Sequence, residues 1–569
     1  MPDIVTRPVD TTAFSALTAA GIDARLARLL AARGIASPEA LCTETSALIP
    51  PTQLTRVEAA AKLLADAIAA KKKLLIVADY DADGATACAV GLRALRAMDA
   101  TVDYLVPNRF EYGYGLTPEI VQLAGERQAD LLITVDNGIA SVEGVAEANR
   151  LGMQVLVTDH HLPGAVLPDA ACIVNPNQAG CTFPSKHLAG VGVIFYVMLA
   201  LRSELRRRGA FAASGESLPA SRPEPNLADL LDLVALGTVA DVVKLDANNR
   251  LLIHQGLARI RAGRTHAGMD ALLRIGGRDP RRAGAYDLGF VIGPRLNAAG
   301  RLDDMSLGIE CLATDDPDVA QRIAMQLDQL NRERRSIESG MQLDALTQLD
   351  SIDPRENFSL CLYQPDWHQG VVGILASRIK DKFHRPVIAF ARDSSGQLKG
   401  SGRSIPALHL RDALDLVTKR YPALVTRFGG HAMAAGLTLS EEAFPAFADA
   451  FEAVVREWLT PGDLEQRIET DGELAAGDID FAFVNEIEKQ VWGQGFPAPT
   501  FRGRLQVESQ RVVGERHLKL RVALNGTSYD AMLFGHNDIL PAVINAVYRL
   551  QKNEFRGETS LQLIIERWV

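Results

Sequence analysis

KKLLIVADYDADG, residues 72–84, runs from lysines through an apolar, partly β-branched stretch into Asp79, Asp81 and Asp83. Two later stretches repeat the design: ADLLITVDNGI (129–139) closes on Asp136, and MQVLVTDHH (153–161) closes on Asp159, His160 and His161. Each reads as a strand buried on both faces whose last residues turn polar. From about 73 to 240 such runs alternate with longer helical periods, the pattern of a parallel sheet in an α/β fold. The carboxyl ends of parallel strands form one edge, where ligand sites lie. The three ionisable clusters are therefore expected to converge there.

Outward from these strands, 569 residues imply several domains, and 47% hydrophobic with 23% charged residues excludes a disordered chain. A net charge of −10 argues against coating nucleic acid by bulk positive charge, so any polyanion site must be local. Cys42, Cys88, Cys172, Cys181, Cys311 and Cys361 form no CxxC pair, which fits free thiols in a reducing compartment. The opening MPDIVTRPVD has neither a basic nor an apolar leader region, and a cytoplasmic protein with no membrane association is expected. The apolar stretch 188–201, LAGVGVIFYVMLAL, is too short to cross a bilayer and reads as a buried helix.

Residues 210–226 are rich in Ala, Ser and Pro and read as a loop. A long helical stretch follows from 316 to about 349, then a second α/β pattern from 354 to about 459. From 501 to 569, apolar and polar residues alternate between turn signals, as in a small antiparallel barrel.

Carboxylates and imidazoles without cysteine make a hard donor set suited to Mg²⁺ or Mn²⁺. Asp79, Asp81 and Asp83 alternate, so an extended chain would point them to one side, where they can address two ions. Two such ions clamp the attacking and leaving oxygens of a phosphoryl group, a phosphoester hydrolase design. A lone Asp after a strand is as readily a helix N-cap; three ionisable strand ends together favour the metal reading.

DYDADG (79–84), TVDNGI (134–139), DHH (159–161) and VADVV (239–243) resemble the successive motifs of the DHH phosphoesterase superfamily. PNRFEYGYGL (107–116), IGPRLNAAGRLDD (292–304), WHQGVVGILASR (367–378), GSGRS (400–404) and FGGHAMAAG (428–436) narrow the resemblance to its single-strand-specific DNA exonucleases. It implies a helical segment at 1–50, a DHH catalytic domain at 51–315 and a connecting helix at 316–353. A DHH-associated nucleic-acid-binding domain at 354–459 and an OB-fold at 460–569 complete the scheme. It also implies one cation on Asp79 and Asp81, a second on Asp83, His160 and Asp241, and Asp136 bridging them. His161 would contact the scissile phosphate or leaving oxygen, with Asp159 orienting an imidazole. Spacing alone leaves open which histidine is the ligand.

For nucleic acid, the resemblance puts Arg109 and Tyr114 near the strand. Arg295, Asn297 and Arg301, set among small residues, are expected to approach phosphate. Ser377, Arg378, Arg403 and His431 are expected at a 5′-phosphate, which would distinguish ends from interior. Residues 501–569 hold ten Lys+Arg and seven Asp+Glu, opposite in sign to the whole chain. Arg516, Lys519 and Arg521 alternate there with apolar residues, a basic face for single-stranded DNA. The implied activity is 5′–3′ exonuclease hydrolysis to mononucleotides in recombination and repair. The protein would act as a monomer, with a single-strand-binding protein and a helicase as partners. Two competitors, an enzyme for short RNAs, cyclic dinucleotides or pyrophosphate and an inactive scaffold, are disfavoured by the barrel and by the complete ligand set respectively.

Overall fold

The computed structural model describes residues 3–108, 112, 115–211, 223–350, 356–475, 477–555 and 558–569. Arg109, Tyr114 and most of the 210–226 loop lie outside them. The chain forms two compact units: 7–330 with 473–568, and 331–472 with the terminal residues 1–6 and 569.

The first unit carries a five-stranded parallel sheet. Lys73–Ala78 is flanked by Thr101–Leu105 on one side, and on the other by Leu131–Val135, Gln154–Thr158 and Cys172–Val174 in turn. The three expected strands are adjacent and in step: Ala78 faces Val135, and Val135 faces Thr158. Asp79, Asp136 and Asp159 consequently leave the sheet at one level on neighbouring strands. The uncharged run at 188–201 largely forms Gly190–Arg207, a core helix buried from Gly190 through Met198. Among the described residues no helix is long and apolar enough to cross a membrane.

This unit also holds a closed barrel of Phe501–Val513, His517–Leu524, Thr527–Leu533, Glu558–Trp568 and Val543–Phe555. Leu518, Leu520, Val522 and Leu524 point into its core while Lys519 and Arg521 point away, because a strand alternates its faces. Residues before the barrel tie it to the helical layers. The Arg25 guanidinium donates to Asp480 at 2.8 Å and sits 4.7 Å from the Phe483 ring centroid, and the Leu245 amide donates to the Gln494 carbonyl.

The helix Pro317–Asp350 carries the chain from the first unit into the second. There a mixed sheet runs Arg427–Gly430, Ala434–Ser440, Gln397–Arg403, Val387–Arg392, Leu360–Tyr363, with only the last pair parallel. The N-terminal segment, read as helical, holds the helices Thr11–Ala19 and Ala24–Ala31 but begins with the strand Asp3–Thr6, which pairs in parallel with Arg467–Thr470. All six cysteines are free thiols.

Candidate metal centre

Each ionisable group at the sheet edge is fixed by backbone. Asp81 caps the helix Ala82–Ala97, its Oδ1 accepting the Asp83 and Gly84 amides at 2.9 and 3.0 Å. The N-cap and metal readings of this residue are thus compatible, since Oδ2 takes no part in the cap. Asp83 accepts the Gly190 amide at 2.7 Å and the Val191 amide at 3.0 Å, so it joins the start of the buried helix to the DYDADG loop. Asp136 adopts the left-handed conformation, φ 63°, uncommon outside glycine. Asp241 ends the helix Leu231–Ala240.

These placements bring three donor groups together, each with its atoms within 4.8 Å of one another. They are Asp79, Asp81 and Asp136; Asp83, His160 and Asp241; and Asp136, His160 and His161. Asp136 belongs to two of them, with Oδ1 3.1 Å from His160 Nε2, which is itself 3.5 Å from Asp241 Oδ2. Asp83 and Asp136 are each 1% exposed. Burial, with the Asp241 charge next in weight, pushes Asp83 up to about 8; burial and the charge of Asp81 push Asp241 up to about 7. Burial and four neighbouring carboxylates raise Asp136 well above the usual range. Such mutual repulsion is what a cation relieves. His160 Nε2 and Asp241 Oδ2 are buried without a hydrogen-bond partner among the described residues. Buried polar atoms rarely stay so, and the oxygen and nitrogen donors fit Mg²⁺ or Mn²⁺.

The two histidines differ in setting. Burial, then the charge of His161, lowers His160. Burial also opposes charge on His161, but the Asp159 bond to Nδ1 at 2.8 Å and the carboxylate's charge raise it to about 9. Asp159 further accepts the amides of Ile139, His160 and His161. With both oxygens occupied, it orients His161 rather than reaching toward a ligand.

Sequence reasoning missed the amides and glycines that hold this edge. Asn137 Nδ2 donates to the Val77 and Val135 carbonyls, lacing two strand ends together; Asn175 and Asn177 donate to the backbone of His161 and His160. A Cβ on Gly190 would meet Asp136 Oδ1 at 2.5 Å, and one on Gly237 would meet Asp83 Oδ1 at 2.7 Å. The only sequence signal was polar or small residues beside the motifs.

Of the residues expected at phosphate, Asn297 Oδ1 accepts the Ala82 amide at 2.7 Å, tying the helix Gly293–Leu302 to the DYDADG loop. Arg301 lies on the same helix, half-buried. Arg295 is held at Asp328 Oδ1, with Nε at 3.0 Å and Nη2 at 2.8 Å, and gives Nη1 to the Val291 carbonyl. This pairing engages the guanidinium within the protein. In the other unit Ser377 Oγ donates to the Gly373 carbonyl, and a Cβ on Gly373 would lie 3.0 Å from Arg403 Nη2, so helix and strand bring these groups together. Exposed Arg378 follows Ser377 on the same helix, and His431 is exposed after the strand Arg427–Gly430. In the barrel, Arg516 lies in the turn before His517–Leu524; Arg521 pairs with Asp530 at 3.0 Å. A groove of about 1300 Å³ beside the barrel is lined by Arg278, Arg282, Asp287 and Glu554, which pair with one another.

The chain is similar to known proteins. Residues 73–238 match a family model described as DHH family, N-terminal domain; 357–457 match the DHHA1 domain and 470–567 the RecJ OB domain. The single-stranded-DNA-specific exonuclease RecJ of Dickeya dadantii (strain 3937) is 51% identical over 557 residues, 96% of each chain. Its Escherichia coli (strain K12) counterpart is 49% identical over 95% of each. Among solved structures, RecJ from Thermus thermophilus in complex with Mn²⁺ matches the whole chain and 79% of its own, with TM-score 0.81 at 29% identity.

Proposed function

The chain belongs to the RecJ family of single-stranded-DNA-specific exonucleases, and from that premise we propose a two-cation, 5′–3′ exonuclease that releases mononucleotides in recombination and repair. The observation that carries this reading is the sharing of Asp136 and His160 among the donor groups gathered at the edge of the parallel sheet. Asp79 and Asp81 would hold one cation and Asp83, His160 and Asp241 the other, with Asp136 serving both.

Mg²⁺ or Mn²⁺ supplies charge to the phosphoryl oxygens and acidity to water. The chain's own groups do the rest. His161, oriented through Nδ1 by Asp159, would turn Nε2 toward the scissile phosphate or the leaving 3′-oxygen, to which it can give a proton as water attacks phosphorus and the P–O3′ bond breaks. Asn297 and Asp83 hold the loop that carries the first ligands. Arg109 and Tyr114 would lie near the nucleic acid; Ser377, Arg378, Arg403 and His431 would meet a 5′-phosphate; and the barrel face of Arg516, Lys519 and Arg521 would contact single-stranded DNA. Arg301 is assigned to phosphate; Arg295 and Asn297 are assigned to bracing. A monomer meeting a helicase and a single-strand-binding protein follows from the family resemblance, and a cytoplasmic setting from the free cysteines.

A 5′-labelled long single strand and a dinucleotide are to be compared with Mn²⁺ and with chelator. Rapid loss of the long strand with metal only is expected. Asp136→Ala should abolish cleavage and keep DNA binding; a variant that still cleaves would overturn the ligand assignment.

A further inference from the structure

The second half of the helix Pro317–Asp350 buries three polar side chains in line. Asn331 Oδ1 accepts Arg334 Nη2 at 3.1 Å, Arg334 Nη1 donates to Glu338 Oε2 at 2.6 Å, and Glu338 Oε1 accepts Arg378 Nε at 2.8 Å. Asn331, Arg334 and Glu338 are at most 8% exposed, whereas the Arg378 side chain is 57% exposed. One carboxylate therefore spans a buried cation and a surface cation. Neutralising Arg334 requires only the first. The second contact adds little to stability, because an ion pair with a half-exposed partner is screened by water. Its consequence is geometric. Held through Nε, Arg378 keeps its Nη1 and Nη2 groups uncommitted among the described residues, and that paired edge suits two oxygens of one phosphate. Beside it on the helix Val372–Phe383 stands Ser377, and Arg403 lies close to Gly373, its Nη2 3.0 Å from where a Cβ would stand.

We infer that Glu338 is a positioning residue for end recognition: it fixes Arg378 so that the guanidinium fork meets the terminal 5′-phosphomonoester of a single strand. This rests on the exonuclease reading and extends it to a residue of the connecting helix. A terminal phosphate offers more free oxygens and more charge than an internal diester, so a pre-set fork favours ends. Freed from Glu338, Arg378 samples many rotamers and pays for ordering at each encounter.

The test measures cleavage of one single-stranded oligonucleotide carrying a 5′-phosphate or a 5′-hydroxyl by the full chain with Mn²⁺. Glu338→Gln is expected to raise KM for the phosphorylated strand about tenfold, the worth of one charge-assisted contact, with kcat unchanged and the 5′-hydroxyl strand little affected. Arg378→Ala should reproduce that loss, the double variant should add nothing, and Glu338→Asp should restore part of the preference. Arg334→Met, which keeps the carboxylate for Arg378, should lower the melting temperature yet preserve the preference. Arg378 is exposed, so its variant folds whatever becomes of Glu338→Gln. An unchanged end preference in Arg378→Ala, or losses that multiply in the double variant, would overturn the inference alone. Wild-type protein that leaves single strands intact would overturn the exonuclease reading instead.

Discussion

The amide of Gly190 donates to Asp83 Oδ2 at 2.7 Å, while the missing side chain of Gly190 makes room for Asp136, whose Oδ1 would lie 2.5 Å from an added Cβ. One residue thus fixes a ligand of each candidate cation. Gly190→Ala should displace Asp136 and lower Mn²⁺-supported cleavage by about 100-fold, the order expected for a misplacement near 1 Å. Overpacking should cost only about 1–3 kcal/mol in stability. Gly340→Ala is the contrasting control: nothing lies within 4 Å of its Cβ, and a helix-interior glycine gains about 0.5–1 kcal/mol on becoming alanine. Melting curves and cleavage rates check both, and near-normal cleavage by the Gly190 variant would remove the steric argument.

Arg295 and Asp328 form a pair in which both side chains are largely buried. Removing either partner leaves a charge without its mate, so Arg295→Ala and Asp328→Ala should each lose about 3–5 kcal/mol, and Arg295→Met with Asp328→Leu should recover most of it. Urea unfolding measures this. DNA binding by the double variant should keep its salt dependence. A slope smaller by about one would place Arg295 on a phosphate after all.

These residues mark the limit of what the sequence discloses. The strand ends were legible because period and polarity are local: an apolar run must be buried, and its ionisable end must sit at the sheet edge. The alternation of Leu518, Leu520 and Val522 with Lys519 and Arg521 was legible for the same reason. Partner choice was not. Arg295 in a glycine-rich setting announces a need for anions, yet whether Asp328 or a phosphate meets it depends on a neighbouring helix. Asn297 likewise reads as a polar contact, and only packing shows that its partner is the Ala82 amide. The strand Asp3–Thr6 escaped notice because it is short and its partner lies near the other end of the chain.

Lys519 and Arg521 share the outer face of one barrel strand, but among the described residues only Arg521 has a close carboxylate partner, Asp530. A paired guanidinium must surrender that contact to take a phosphate. Lys519→Ala should therefore reduce the salt slope of single-strand binding by about one, and Arg521→Ala by less. Fluorescence titrations at several salt concentrations rank them, and equal slopes would show that the Asp530 pair yields freely. Point variants are the better probe than truncation, since Trp492 and Phe496 before the barrel pack against the core of the sheet domain.

Asp232 anchors the far end of the helix whose last turn leads to Asp241. Its carboxylate accepts His266 Nδ1 at 2.9 Å, the His266 amide at 2.9 Å and the Thr265 hydroxyl at 2.7 Å. Burial pushes this carboxyl up, but the His266 bond and charge outweigh it and hold Asp232 below the ordinary range. A lowered folded pKa means the ionised form stabilises the fold at neutral pH, and that contribution is lost as pH falls below about 4. Asp232→Asn should cost about 1–3 kcal/mol at pH 7. Urea unfolding of both proteins down to pH 3 should find the gap closing with acid. A gap constant across that range would mean the carboxylate's charge contributes nothing, and that shape and hydrogen bonding alone seat the helix.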